Sequence, residues 1–412
     1  MRWASALANC SPSSILDVSA SINPLGPPES AIAAIHNSIG TLQHYPDPSY
    51  HLLREALGQF HQIDPDWIFP GNGAAEILTW IGRELAEQTV EQNIEPPSNS
   101  LPSPQSQVQS HIHLITPAFG DYERALRAFR SSATRSPFIL HPLPLASVLM
   151  SSADEMSSQR DISKSRFQEN PIDLSSVLPH GFSDENQPAI ALRAKDCLLL
   201  NNPHNPSGLL FSAQSVESYC QWMSRVVVDE AFIDFLPPHQ QQSVLSRVEA
   251  YHNLIVVRSL TKFYSLPGLR IGYAIAHPDL IQRWQEWRDP WPVNTLAEAA
   301  AIACLTDTEF QTRTWQWLEK ARTQLLQGLL QIPGLCVCPG VANFLLVRAD
   351  CSVTALQRWL LTHHRILIRD CMSFPELGDR YFRIAVRTLE ENERVLHALA
   401  SGIEVLMNKS VQ

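Results

Sequence analysis

The chain has 412 residues, 44% of them hydrophobic and 17% charged, enough to bury a large core and build one large domain with a smaller one. Its 31 Lys and Arg against 41 Asp and Glu give a net charge of −10 with no basic run, which argues against a nucleic-acid or anionic-membrane partner. No apolar run approaches the ~20 residues of a membrane span.

In chain order, Ser49 to Gln62 carries Leu52, Leu53, Leu57 and Phe60 at helix period. A second helix runs from Ala74 to Glu87, opening after Gly71-Asn72-Gly73. Residues 91–110 and about 150–188 are rich in Ser, Gln and Pro and poor in aliphatics, so they read as flexible surface insertions. Between them, His111 to Ile115 reads as a strand and Tyr122 to Phe129 as a helix. Cys197 to Leu200, Arg225 to Val228 and Leu254 to Val257 are short Val- and Leu-rich runs, as expected of strands buried on both faces. Each ends in polar residues, which is where an α/β sheet places its ligands. From Trp291 onward, helices over 293–330 precede strands at Phe344 to Val347, Ile366 to Arg369 and Phe382 to Val386. The expected organisation is an arm (1–30), a large α/β domain (31–290) with a mostly parallel sheet, and a small α+β domain (291–412).

Eight cysteines are scattered along the chain, and the Cys336-x-Cys338 pair has no second pair at zinc spacing. Reduced thiols, no metal and a cytoplasmic location are the expectation, since the apolar stretch ending at Cys10 is too short for a signal peptide.

The chemistry gathers at the polar strand ends. Ser259-Leu260-Thr261-Lys262 sets one amine beside two hydroxyls, with Arg270 eight residues on. Pyridoxal phosphate needs a lysine to form an imine, an acid to keep its pyridine nitrogen protonated, a phosphate cradle and an anchor for its phenolic oxygen. Lys262 supplies the first and Asp229, closing a valine strand, the second. Gly73, Ala74 and Ala75 open a helix whose free N–H groups suit a phosphate, with Ser259, Thr261 and Arg270 completing the cradle. Asn205, in Asn202-Pro203-His204-Asn205-Pro206-Ser207-Gly208, offers an amide to the phenolic oxygen. Each feature alone is common in structural roles; their succession at predicted strand ends points to one site.

These motifs resemble the fold-type I pyridoxal phosphate enzymes, in the class I/II aminotransferase group, over nearly the whole chain outside the two insertions. The resemblance implies a mostly parallel seven-stranded sheet in the large domain, an enzyme of this cofactor and a homodimer. Two branches compete, one transaminating histidinol phosphate and one decarboxylating threonine phosphate in cobalamin synthesis. Ser19-Ala20-Ser21-Ile22-Asn23-Pro24-Leu25-Gly26-Pro27-Pro28, Phe232 in the Asp229-Glu230-Ala231-Phe232 stretch, and Ile366-Leu367-Ile368-Arg369-Asp370-Cys371 are similar to the decarboxylase branch. By that resemblance Arg383 holds the substrate α-carboxylate and Arg369 its phosphate, with Arg387 and Asn23 as further substrate contacts. Phe119 stacks on the pyridine ring, and Tyr45 reaches the partner subunit's cofactor phosphate. The start of the chain departs from the branch, lacking its H-G-G stretch and carrying Ser21 where the pattern has asparagine. A non-catalytic relative would be expected to have lost Lys262, Asp229 or Arg383, and all three are present.

Overall fold

The computed structural model describes residues 2–91, 110–128, 138–145, 171–176 and 196–409. Its centre is a seven-stranded sheet of β2 (Ile68–Gly71), β3 (Ser110–Thr116), β4 (Phe138–Pro144), β5 (Cys197–Asn201), β6 (Arg225–Asp229), β7 (Leu254–Ser259) and β8 (Gly272–Ile275), in the order β2-β8-β7-β6-β5-β3-β4. Strands β4, β3, β5, β6 and β7 are parallel neighbours, and β8 runs antiparallel to both β7 and β2.

Every residue of β5, β6 and β7 is buried, and alternation assigns them to two apolar layers. Val227, Ile255 and Val257 pack with Ile77, Leu78 and Ile81 of the helix Ala74–Glu91, with Tyr122 of the helix Gly120–Arg127, and with Trp284 of the helix Pro278–Trp287. On the other face, Val226, Val228 and Val256 join a larger cluster that continues into the C-terminal part through Phe344 and Ile384. Helix covering on both faces explains why these strands read as continuous apolar runs. Pro142 and Pro144 in β4 are tolerated because β4 is the edge strand.

The C-terminal part has a four-stranded antiparallel sheet of β9 (Leu335–Cys338), β10 (Phe344–Ala349), β12 (Arg369–Asp370) and β13 (Tyr381–Ala385), ordered β12-β13-β10-β9. The arm adds a two-stranded parallel piece, β1 (Leu16–Asp17) on β11 (Ile366–Leu367). The single strand expected over Ile366 to Arg369 is therefore split. Its first half pairs with the arm and its second with β13. Buried Ile368 stands at the break, its carbonyl accepting from Gln357 Nε2 at 2.9 Å.

Nearly all of 91–110 and most of 150–188 lie outside the described residues. The described piece of the second segment is not a free excursion. Leu174 is fully buried and Ile172 forms a bridge with Phe211, because this piece carries the two apolar residues of Pro171-Ile172-Asp173-Leu174. All eight cysteines are free thiols, seven of them buried. Among the described residues no helix is long and apolar enough to cross a membrane.

Candidate active site

A cleft of about 260 Å³ opens at the carboxyl ends of β5, β6 and β7. Beyond β7, Ser259 caps the short helix Leu260–Phe263, its hydroxyl accepting from Thr261 N. That cap aims Lys262 into the cleft, where Nζ donates to Thr261 Oγ1 at 2.8 Å. Thr261 Oγ1 lies 2.8 Å from Ser259 Oγ, so amine and hydroxyls form one chain. Burial pulls the Lys262 pKa below the ordinary lysine value; Arg270 and Arg383 push the same way, and Asp229 opposes them. The amine is thus easier to deprotonate than a surface lysine, as a nucleophile requires.

Asp229, the last residue of β6, is buried at the floor. Its Oδ2 accepts from Tyr122 Oη at 2.8 Å and its Oδ1 from Ala231 N at 3.0 Å. Burial pushes this carboxyl upward, against the two hydrogen bonds and the nearby Lys262 charge. Asn205 Oδ1 accepts from Arg383 Nη1 at 2.6 Å, and that bond fixes the amide so that Nδ2 is the end left for a ligand. Arg383 Nη2 donates to Ser19 O at 3.1 Å, and its guanidinium lies 5.0 Å over the Phe344 ring. Burial, then the neighbouring Arg369, draws the Arg383 pKa down to about 10, with Cys371 acting in the opposite direction.

The phosphate end is built by glycine. Gly73 has φ +79°, and a Cβ there would fall 2.5 Å from Arg270 Nη2. A Cβ on Gly272 would meet Ala74 N at 2.8 Å. The absence of side chains lets Arg270 lie against the start of the helix Ala74–Glu91, whose first N–H groups, at Ala74 and Ala75, have no intrahelical acceptor. Arg270 has no ion-pair or hydrogen-bond partner among the described residues. An unpaired guanidinium, a helix start and two hydroxyls beside a deprotonatable lysine fit a phosphorylated carbonyl cofactor.

The cleft therefore brings together Ala74, Ala75, Phe119, Asn205, Asp229, Ser259, Thr261, Lys262, Arg270 and Arg383, with Gly73 directly behind Arg270. Phe119 is 37% exposed at its wall. Four expected residues lie elsewhere. Asn23 does not line the cleft: its amide donates to Phe263 O and Thr314 Oγ1, both at 2.9 Å, and its backbone N to Lys262 O at 3.1 Å, so it straps the arm to the lysine segment. Arg387 is turned to Glu391, 3.2 Å away. Arg369 is exposed, donating to Ser373 Oγ at 3.0 Å, but it stands directly opposite Arg383 in the β12–β13 register. Tyr45 is 78% exposed and stacks on Trp291 at 4.4 Å.

Sequence reasoning missed Tyr122. It stands in the first turn of the helix Gly120–Arg127, which Phe119 precedes in extended conformation, and the two rings meet edge to face at 5.8 Å. Its carboxylate partner lies 107 positions away, so only the fold reveals the contact. Ser21 and Asp121, which also line the cleft, were missed for the same reason.

The family model described as aminotransferase class I and II matches residues 183–399. This chain belongs to that family. It is a pyridoxal phosphate-dependent enzyme. It is 33% identical to threonine-phosphate decarboxylase of Salmonella typhimurium, over 97% of this chain and 94% of that one. Identity to histidinol-phosphate aminotransferase 2 of Ralstonia nicotianae is 29%, over 94% and 89%. The crystal structure of histidinol-phosphate aminotransferase from Sinorhizobium meliloti, in complex with pyridoxal-5'-phosphate, shares the fold with a TM-score of 0.72 at 20% identity, covering 98% of this chain and 94% of that one. The class I and II fold thus accounts for both the sheet order and the position of the cleft.

Proposed function

We propose that this enzyme decarboxylates L-threonine O-3-phosphate to (R)-1-amino-2-propanol O-2-phosphate, the kind of linker used in the nucleotide loop of cobalamin. The observation that carries the reading is the pairing of Arg369 with Arg383 across β12 and β13. Like charges directly opposite on one sheet face are destabilising, and here one of the two is drawn down in pKa by burial and by the other. A substrate with a carboxylate and a phosphate a few bonds apart neutralises both. The similarity to threonine-phosphate decarboxylase over almost the full chain supports the same substrate.

In this reading Gly73, Ala74, Ala75, Ser259, Thr261 and Arg270 hold the cofactor phosphate, and Lys262 anchors its carbonyl carbon. Asp229, oriented by Tyr122 and Ala231 N, would face the pyridine nitrogen, while Asn205 Nδ2 would donate to the phenolic oxygen and Phe119 would cover the ring. Pyridoxal phosphate, once bound, would supply an electron sink for the α-carbon bond that breaks. Arg383 would grip the α-carboxylate and Arg369 the phosphate, and the two together would set the substrate rotation that selects the carboxylate bond. Lys262 returns a proton to the α-carbon after carbon dioxide leaves. Phe232 lines the same cleft without a hydroxyl to compete for the phenolic oxygen.

A homodimer belongs to the same proposal. Ile39, Leu42, Tyr45, Leu52 and Trp291 are 42–78% exposed, an apolar surface a second copy would cover while bringing Tyr45 toward its partner's cofactor phosphate. Light scattering should give twice the chain mass.

The test is a side-by-side assay of the reconstituted enzyme. Threonine phosphate should release carbon dioxide and yield aminopropanol phosphate without an oxo acid. Amino transfer from histidinol phosphate to 2-oxoglutarate, with threonine phosphate untouched, would assign the protein to the aminotransferase branch instead.

A further inference from the structure

At the end of the sheet opposite the cleft, two loops converge. His252 sits just before β7, and His277 and Asp279 follow β8, which is the antiparallel neighbour of β7. Lys262, by contrast, lies beyond the other end of β7. His252 Nε2 is 3.6 Å from Asp279 Oδ2, and His277 Nδ1 is 3.4 Å from the same oxygen. One donor atom from each of the three residues falls within 4.8 Å of the others. The two imidazole rings are 3.8 Å apart between centroids, tilted by 33° rather than parallel.

These spacings suit an ion. A tetrahedral zinc ion bound at about 2.0–2.2 Å holds its donors about 3.3–3.6 Å apart, and both measured nitrogen–oxygen separations fall in that interval. The donor set, two imidazoles and a carboxylate, is one that zinc and its neighbours in the first transition row accept. Magnesium and calcium select oxygen ligands. Two of the three side chains are more than half exposed, which leaves a coordination position open to water. His277 is part-buried against the Trp67 ring at 5.3 Å, giving one ligand a fixed seat. The competing use of His277 Nδ1, accepting from Asp279 N at 3.3 Å, is a long hydrogen bond that an ion would readily displace. Arg225, whose charge acts on His277, is held by Glu84 and by the His252 carbonyl.

We propose that His252, His277 and Asp279 form a divalent transition-metal site of zinc type. The ion fastens the start of β7 to the helix Pro278–Trp287 and takes no part in the chemistry of the cleft.

The test uses the whole enzyme with cofactor bound, freed of excess cofactor and treated with chelator. Calorimetric titration with zinc sulfate should show one ion per chain and a zinc-dependent rise in thermal midpoint, with magnesium chloride giving neither. His252→Ala alters an exposed ring, so the fold survives it. It should weaken zinc binding at least about tenfold and abolish the thermal shift, while turnover stays at the wild-type rate. Asp279→Asn should weaken binding in the same direction. No stoichiometric binding by the wild type, or binding equally tight in His252→Ala, would overturn the proposal, the second result marking an ion held elsewhere.

Discussion

Replacing Tyr122 with Phe removes one oxygen from a buried position and leaves the ring in place. That oxygen is one of two donors to Asp229, at 2.8 Å, and the other is the backbone N–H of Ala231. Burial, reinforced by the Asp229 charge, holds the Tyr122 hydroxyl pKa well above its ordinary value, so it donates to Asp229 through the neutral range. A hydrogen bond to a charged group contributes about 1.5–3 kcal/mol, and one pKa unit corresponds to about 1.4 kcal/mol. Losing it should therefore raise the Asp229 pKa by about one to two units, adding to the upward push that burial already exerts. With a higher pKa the carboxylate is lost at a higher pH, so the pyridinium partner is lost there too. Pyridoxal phosphate affinity of the apoenzyme, followed by absorbance across pH 5 to 9, should keep its alkaline behaviour. Its acid limb should move up by about one to two units. Circular dichroism would establish that the fold is intact. An acid limb unmoved in a folded Tyr122→Phe protein would mean that the hydroxyl does not hold the Asp229 charge.

Other residues give sharper single outcomes. Gly73→Ala places a Cβ against Arg270 Nη2 at a φ of +79°, where an L-residue costs about 1–2 kcal/mol, so cofactor affinity should fall at least about tenfold in equilibrium dialysis. Because the Lys262 pKa is depressed, covalent capture of phosphate-free pyridoxal, trapped with borohydride and mapped to Lys262, should reach half its maximal rate below the usual lysine pKa. Arg270→Gln, which removes a cation that favours the neutral amine, should move that midpoint upward. Arg369→Gln should raise KM for threonine phosphate by about 10–100-fold, the loss expected for a charge-assisted contact of about 1.5–3 kcal/mol, with little change toward unphosphorylated threonine.

The three central strands were legible because burial on both faces leaves uninterrupted Val and Leu runs, and their polar last residues announced the cleft. That Lys262, Asp229, Ser259, Thr261 and Arg270 share one cleft was legible because the chemistry restricts which residue types can serve together. Strand β8 and the division of Ile366 to Arg369 between two sheets were not, since each depends on a partner far away in sequence. Asn23 shows the same limit. Its neighbours Ser21 and Ile22 face the cleft, but its own amide is drawn to Phe263 O and Thr314, contacts 240 and 291 positions distant. Tyr122 was read only as the start of a helix, and its hydroxyl reaches Asp229 across 107 positions of sequence.

In the proposed reaction the bond to the α-carboxylate breaks and the bond to the α-hydrogen does not. Turnover of L-threonine O-3-phosphate in deuterium oxide, with the product examined by mass spectrometry and proton NMR, tests it directly. The product should be aminopropanol phosphate carrying one deuterium at the carbon that lost its carboxylate. A product that keeps the carboxylate and has exchanged its amine for a carbonyl would contradict it.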